Sequence, residues 1–460
     1  MIKFLSSLLL AVIFCFGGIK TAFADEYELF MTRAAHMSFG ANYFRSDEVP
    51  QQFTQIGLKS KSELVLAKPG GISWDVEGFY TTAEEIFVIN PVELSYRLPE
   101  PYSYVRLGRV LQNWSIADVF WRRGNWQPRF SWDKLDSDQQ GMVGLHVVAN
   151  SENSKWTFMA SPFFVPEFGP QINLKEGHFS SMNPWFRPPP AEVNVLNRIT
   201  PTNYSLTNPS VEQVALNPSI AFRVEQKVNA GAIAFAYAYK PMNQLIFTAP
   251  FSLDLSNGQN ADIVPLNIDV ETRIMRHHLL SGEWIYNAGQ VDAIVSATYE
   301  RPVINYEIKE TSLNQMVKDS TMVDFILTPN AKFYSAFKPY VGYMRNWGGD
   351  EPSNNEFVEG SFVFERRQQF FNAYKLGFNY STTFKTTSQL SVRQEVIYDS
   401  AQLAASLLSE VRLEYNKNQM IGFKFEALGI VDDGIPQEAS GFLRDYRAND
   451  RFTFEYGYVY

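Results

Sequence analysis

Residues 451–460, the last ten of the chain, restrict its fold more than any other stretch does. Successive residues of a β-strand point to opposite faces, so the alternation here places every aromatic ring on one face. The rings belong to Phe452, Phe454, Tyr456, Tyr458 and Tyr460, whereas Arg451, Thr453, Glu455 and Gly457 lie on the other face. Such a strand must be hidden in a sandwich or closed against another strand in a lipid-facing wall, and its alternation favours the wall.

The amino terminus predicts export from the cytoplasm. Lys3 begins a short basic region, residues 8–16 form an apolar run too short to span a bilayer, and Ala-Phe-Ala at 22–24 is a small-residue cleavage site. We therefore interpret residues 1–24 as a secretory signal peptide. The one cysteine, Cys15, lies inside it, so we expect no disulfide, thiolate metal site or cysteine nucleophile in the mature chain.

Charge and composition exclude one class of partner and favour a barrel. Removing residues 1–24 takes away Lys3 and Lys20 but no acid, so the formal net charge falls from −9 to −11. That balance argues against a nucleic-acid partner. Aromatic residues make up 15% of the chain, and no second long apolar helix follows the signal peptide, as expected for alternating strands. A large periplasmic or secreted β-protein is the alternative at this point.

Turn signals predict the number of strands. Eight short turns separate alternating segments and give sixteen strands; they lie at residues 68–71, 98–101, 150–154, 229–231, 287–289, 328–330, 381–383 and 416–418. The closing strand 451–460 needs one more partner, which residues 29–44 supply. The predicted fold is therefore all-β, a single transmembrane antiparallel β-barrel of about 18 strands over residues 25–460, with both termini in the periplasm. Sixteen strands are the alternative, because residues 272–286 and the surroundings of Pro339 alternate poorly.

Charged residues of both signs alternate with apolar ones in the clearest strands. A dry core would not tolerate charges at this density, so the interior of the barrel must be wet or filled by a polar plug. The predicted lumen wall contains Arg223, Glu225, Arg393, Glu395, Arg412, Glu414, Lys424 and Glu426. Alternatively, these charges only pair across strands and hold the register, at under about 1 kcal/mol each.

The predicted outer loops are long and unequal. They comprise residues 111–141, 163–217, 242–271, 301–320, 346–362 and 431–450. Loops of this size that lack secondary structure are usually functional. Pro209 and the residues after it predict one short helix, with Asn208 as its cap.

Segment 111–141 concentrates aromatic and charged residues. Four of the nine tryptophans lie in it, and exposed indoles would each forgo about 1.5 to 3 kcal/mol of burial, so the segment must pack against something. The residues expected to form a constriction are Trp114, Asp118, Trp121, Arg122, Arg123, Trp126, Arg129, Trp132 and Asp133. In this interpretation the arginines face acidic groups and the indoles offer flat surfaces for a sugar ring. Gly124, Gly141 and Gly144 allow the tight turns that infolding needs. A folded outer cap is the alternative.

Two short motifs resemble a known class of protein. Residues 451–460 resemble the closing strand of Gram-negative outer-membrane barrels, whose terminal aromatic is an assembly signal, and this implies that role for Phe452, Tyr458 and Tyr460. Val-Arg-Leu-Gly-Arg at 105–109 resembles the strand end before the third loop of porins and alginate-export barrels; in porins that loop folds into the lumen. The resemblance implies the outer membrane of a Gram-negative bacterium, contact with its lipid, lipopolysaccharide and assembly machinery, and a homotrimer by analogy.

The sequence offers no sign of catalysis. It contains no Gly-x-Ser-x-Gly, no His-Glu-x-x-His and no metal-ligand spacing, so we expect no catalytic residue, metal or cofactor, and His146 is interpreted as structural. The predicted function is an outer-membrane pore for passive or selective passage of small hydrophilic solutes, with segment 111–141 as its filter. A polysaccharide export channel is one alternative, and a barrel hydrolase or surface-interaction protein is another.

Overall fold

The structure is a computed structural model. It describes residues 26–36, 52–66, 70–99, 103–195, 198–253, 265–304, 312–315, 317–330, 336–349, 365–384, 387–416, 418–431 and 441–459. The predicted signal peptide 1–24 and Tyr460 lie outside the described residues.

Eighteen strands form one closed antiparallel sheet, as predicted. In chain order they are β1 Glu26–His36, β2 Gln52–Leu66, β3 Gly70–Thr81, β4 Ile86–Pro99, β5 Ser103–Val110, β6 Met142–Asn150, β7 Ser154–Ser161, β8 Ser219–Val228, β9 Gly231–Pro241, β10 Arg276–Ala288, β11 Val291–Val303, β12 Ser320–Pro329, β13 Phe337–Gly348, β14 Asn372–Phe384, β15 Ser388–Asp399, β16 Ala404–Tyr415, β17 Gln419–Ile430 and β18 Arg451–Val459. Each strand pairs with the next, and β18 pairs back with β1 from Glu28↔Val459 to His36↔Arg451. The closing strand thus has a partner on both edges and leaves no free edge.

Seven of the eight predicted short turns lie at the junctions between the strands that they were expected to join. The eighth, at residues 381–383, was wrong, because β14 continues to Phe384 and stays paired with β15 from Ser381↔Ser391 to Phe384↔Ser388. Threonine is β-branched and fits a strand as readily as a turn. The sixteen-strand alternative is also wrong, since both β10 and β13 form. Pro339 is tolerated in β13 because pairing with β12 ends at Leu327↔Val341, so its missing N–H leaves no gap in that ladder.

The wall has an apolar outer face and a polar inner face. On the outer face Leu376 is 64% exposed and Phe87 is 63% exposed. On the inner face charged residues such as Asp324, Lys375 and Glu426 are buried. Because the two faces alternate residue by residue, the period-two pattern of the sequence carries directly into the two surfaces of the barrel.

The long loops contain structure of their own. Three of them contribute to a five-stranded sheet, which consists of Glu192–Val195, Arg198–Thr207, Leu266–Arg273, Ile246–Leu253 and Ser312–Asn314 in that order. Two further short strand pairs also form in the loops, Asn173–Lys175 with His178–Ser180 and Arg129–Phe130 with Asp138–Gln139. The larger sheet includes a parallel pair, Arg198–Thr207 with Leu266–Arg273, and encloses a small core around Tyr204, Ala249 and Ile268. Segments far apart in sequence thus make this sheet, which local patterns did not predict.

In the described part of the chain three short helices lie in the loops: α1 Ile116–Trp121, α2 Val211–Ala215 and α3 Phe442–Asp445. Helix α2 forms where the sequence predicted one, but its cap is Ser210 rather than Asn208. The Ser210 hydroxyl accepts from the Gln213 amide at 3.3 Å, and the Gln213 side chain accepts from the Ser210 amide at 2.8 Å. Within the described part of the chain, no helix has the length and apolar character needed to span a membrane.

Candidate functional site

Segment 111–141 is held at its base by strand β4. Gly141 N donates to Val92 O at 2.8 Å, and the Gln140 side chain links Arg109 on β5 to Asn90 on β4, at 2.7 Å on each side. The preceding Gly108 has φ of +126°, and a Cβ there would lie 2.4 Å from Leu94 O. Both this backbone conformation of β5 and its close approach to β4 therefore require glycine at position 108.

Helix α1 is fixed to strand β10 through its amino terminus. Ser115 is the N-cap, and its hydroxyl accepts from Asp118 N at 3.1 Å. Glu283, an inner-face residue of β10, accepts from Ser115 Oγ and from Ile116 N, each at 2.7 Å. A carboxylate at a helix amino terminus is favoured by the unpaired amides and by the helix dipole. The wall thus supplies the charge that orients α1.

The turn after α1 is fixed to strand β12 by a buried ion pair. Arg123 donates to both carboxylate oxygens of Asp324 at 3.1 Å, and both side chains are almost fully buried. Asp118 supports the same turn by accepting from the amides of Asn125 at 3.0 Å and Trp126 at 3.4 Å. Burial raises the pKa of the Asp118 carboxyl, and the neighbouring Arg123 opposes that shift.

Three of the predicted constriction tryptophans are anchors that bind the segment to the wall. Trp114, Trp121 and Trp126 are each 1% exposed. Trp114 and Trp126 stack with ring centroids 5.9 Å apart and pack on small inner-face residues of β8 and β9, namely Ala221, Ala236 and Ala238. These alanines provide the space that the indoles occupy. Trp121 instead packs on the other side of the segment, with Met344 and Phe370.

Each of the three predicted constriction arginines is paired with a carboxylate. Arg122 pairs with Asp136, Arg123 with Asp324 and Arg129 with Glu167, the last at 3.1 Å. Arg129 also donates to Arg122 O at 2.9 Å, and Arg122 donates to Leu135 O at 3.0 Å. Their guanidinium groups therefore hold the segment in shape, and Arg123 and Arg129 are buried.

The tip of the segment, Asp133 and Asp136, meets basic residues of strands β15, β17 and β18. Lys424 lies 2.7 Å from Asp136, Arg393 lies 3.5 Å from it, and Arg451 pairs with Asp133. Burial alone would raise the pKa of Asp136, but Lys424, Arg122 and Arg393 hold it well below its usual value. The tip is thus docked on the wall opposite to the anchors.

Two adjoining cavities lie beside this tip. The first has a volume of about 220 Å³ and the second about 150 Å³, and they share Gln55, Asp133, Asp136 and Arg451. The first is further lined by Glu410, Arg412, Lys424, Thr453 and Glu455, and the second by Glu77, Phe79, Phe130, Trp132, Asp138 and Trp185. Together they form an off-centre space, which we call the passage, between the tip and strands β1–β3 and β16–β18.

Other loops fill the interior beside the segment. Trp185 stacks on Phe442 of α3 at 6.1 Å, and Trp121, Phe370 and Tyr446 belong to the same apolar cluster. Lys134 Nζ donates to the Tyr446 hydroxyl at 2.9 Å, which ties the segment to this cluster. The cluster occupies the side of the barrel where β14–β17 contribute Ala373, Ile397, Ala404 and Leu428.

The predicted lumen-wall residues form ion pairs along the inner face. The pairs are Arg223 with Glu225 at 2.5 Å, Arg393 with Glu395 at 3.4 Å, Arg412 with Glu455 at 3.1 Å and Lys424 with Glu426 at 2.9 Å. Glu414 is exposed near the short-turn end of β16, opposite Gln389 and Met420. Of the residues predicted as an assembly signal, Phe452 lies on the outer face against Phe423, Tyr458 pairs with Leu29, and Tyr460 lies outside the described residues.

Of the predicted constriction residues, only Trp132 and Asp133 line the passage. The passage is also lined by Asp136, Asp138, Arg451 and Glu77, which the sequence did not indicate as constriction residues. The spacing of Asp133, Asp136 and Asp138 was a usable signal, because three acids within six residues of an aromatic segment must be solvated or paired. His146 is buried on β6, with Nε2 3.2 Å from Met142 O.

No family model and no curated protein matches this sequence. Among solved structures the chain is similar to OccK9 (OpdG) of Pseudomonas aeruginosa, at 10% identity and a TM-score of 0.46 over 95% of this chain and 96% of that one. It is also similar to OccAB3 of Acinetobacter baumannii, at 9% identity and a TM-score of 0.43 over 95% of this chain and 98% of that one. A third similar structure is the outer membrane protein OprD of Pseudomonas aeruginosa, at 8% identity and a TM-score of 0.39 over 96% of this chain and 94% of that one.

Proposed function

We propose that the protein is a passive pore in the outer membrane of a Gram-negative cell, with small hydrophilic solutes crossing through the passage beside segment 111–141. The observation that carries this proposal is the combination of a closed sheet, an apolar outer face and a charged, cavity-containing interior. Each of these features has a physical consequence for where the protein can reside and what can cross it.

The outer face supports a membrane location. Large apolar side chains are exposed on most strands, including Leu107, Trp284, Tyr374 and Phe423. A water-soluble protein rarely exposes apolar surface on this scale, whereas lipid chains cover it without penalty. The strands are 8 to 15 residues long, enough for tilted transmembrane strands, and the closed sheet leaves no backbone edge in lipid.

The interior supports a narrowed pore rather than a solid plug. Segment 111–141 is bound to one side of the wall by α1 and its tryptophans, and its tip is docked on the opposite wall beside the passage. Charged residues of both signs line that passage, with Asp133 and Asp136 on the tip and Arg412, Lys424 and Arg451 on the wall. Charged walls favour water and dissolved solutes, so these two cavities support a solute route along this side of the barrel.

Conductance in planar bilayers tests the pore. The purified protein should give channels of stable conductance, and replacing residues 113–139 by a short Gly-Ser linker should raise that conductance several-fold, because it removes the narrowing. Replacing the exposed hairpin at residues 173–180 is the matched control and should leave conductance unchanged. Folded protein that stays silent in both the parent and the 113–139 variant would refute the proposal. A silent parent with a conducting variant would instead indicate a gated channel, as polysaccharide export requires.

A further inference from the structure

We propose that the aromatic end of the passage is a binding subsite for a neutral saccharide, with Trp132 as the surface on which the sugar ring stacks. This inference rests on the proposed pore function and adds a class of solute to it. It concerns the 150 Å³ cavity, where four aromatic and four acidic residues meet.

The aromatic surface is rigid. Trp132 is partly exposed and lines the cavity, while Phe130 lies parallel to it with ring centroids 6.4 Å apart. Phe79 contacts the same indole edge to face at 5.9 Å. The backbone beneath is held by Asn183, whose side-chain amide donates to Trp132 O at 3.2 Å. An indole fixed in this way presents an apolar plane of the kind that the C–H face of a pyranose covers.

Hydrogen-bond donors and acceptors both belong to residues that line this cavity. Among the described residues, the buried Trp185 indole N–H has no hydrogen-bond partner, and Trp185 lines the 150 Å³ cavity. The Thr453 hydroxyl, which also has no partner there, belongs to a residue of the adjoining 220 Å³ cavity. Glu77 and Asp138 line the smaller cavity, and in the described part of the chain neither has a cation within 4 Å. A sugar hydroxyl donates to a carboxylate and accepts from an N–H, so a polyol satisfies both sets at once.

The charges of the subsite favour a neutral ligand over an ionic one. An anion would meet Glu77 and Asp138, while Arg451 is already paired with Asp133 and Glu426. A simple cation would compete with Lys59, which lies directly opposite Glu77 in the pairing of β2 with β3. Neutral hydroxyl groups avoid both conflicts.

Block of the ion current by added solutes tests this subsite. Glucose should reduce the current in a saturable manner, whereas sorbitol, which has similar mass and hydroxyl number but no ring face, should block weakly. Trp132→Leu should raise the half-blocking glucose concentration by about tenfold, and Trp132→Phe, which keeps a flat ring, by less than about threefold. Asp138→Asn, at an exposed position that does not endanger folding, should raise it by about threefold.

Three results would overturn the subsite. These are equal block by glucose and sorbitol, an unchanged glucose block in both Trp132→Leu and Asp138→Asn, and stronger block by choline than by glucose, which would assign the cavity to organic cations. Failure of the pore itself is distinguishable, because the parent protein would then carry no ion current in any solute.

Discussion

The buried pair between Arg123 and Asp324 provides the sharpest test of how segment 111–141 is held. Arg123 reaches both oxygens of Asp324 at 3.1 Å, and the two side chains are 4% and 0% exposed. Arg123→Ala would leave the Asp324 carboxylate buried without a partner. Removing one member of a buried pair costs about 3 to 5 kcal/mol, because the remaining charge loses its compensation inside a low-dielectric environment.

The lost interaction energy destabilises the docked state of segment 111–141 relative to a detached state. A loss of about 3 kcal/mol shifts the equilibrium between docked and detached segment by about two orders of magnitude. We therefore expect Arg123→Ala to increase open-channel current noise and the rate of proteolytic cleavage within residues 111–141. The double variant with leucine at positions 123 and 324 should restore quiet channels, since an apolar pair of similar volume replaces a buried ion pair at little cost.

The exposed pair between Arg273 and Glu271 is the matched control. Its atoms are 2.6 Å apart, but the side chains are 43% and 37% exposed, so Arg273→Ala should cost no more than about 1 kcal/mol and leave the current unchanged. Current noise and cleavage in Arg123→Ala that equal those of the parent would refute the anchoring role of the pair.

Three further predictions concern the same segment. Gly108→Ala should lower the free energy of unfolding by about 1 to 3 kcal/mol in a urea titration, because φ is +126° there, whereas Gly282→Ala, with open space around it, should not. Ala236→Leu should overpack the stacked tryptophans and cost about 1 to 3 kcal/mol, unlike Ala297→Leu on the outer face; equal urea midpoints would contradict that packing. The pKa of Asp136 is depressed in the folded protein, so its stabilisation of the docked tip is present above pH of about 4 and is lost only as the pH falls through the depressed value. Current noise should therefore be the same at neutral pH and at pH of about 4.5. Higher current noise at pH of about 4.5 than at neutral pH would contradict the pairing of Asp136.

The alternation of apolar and polar side chains allowed the strands of the barrel wall to be predicted from the sequence. The period of two is a local property, so Leu376 beside Lys375, or Phe452 beside Arg451, already reveals which face each side chain takes. Turn residues such as Asn229-Ala230-Gly231 then divide the chain into strands, and closure follows because an unpaired aromatic strand cannot end a stable sheet. The error at residues 381–383 arose because Ser and Thr serve both turns and strands.

The roles within segment 111–141 were decided by tertiary structure. Its composition predicts that the indoles are packed, yet only the wall determines which ones are anchored: Trp114 lies on alanines of β8 and β9, whereas Trp132 faces the passage. Likewise, Arg123 has the same residue type as Arg122 but pairs with Asp324, some two hundred residues away. Alternation along a strand is set by neighbours in the chain, but contacts across a closed barrel depend on its curvature and on every strand in between. The sequence by itself therefore determined a closed barrel with an apolar outer face and a polar inner face, and the three-dimensional packing decided where the passage lies within it.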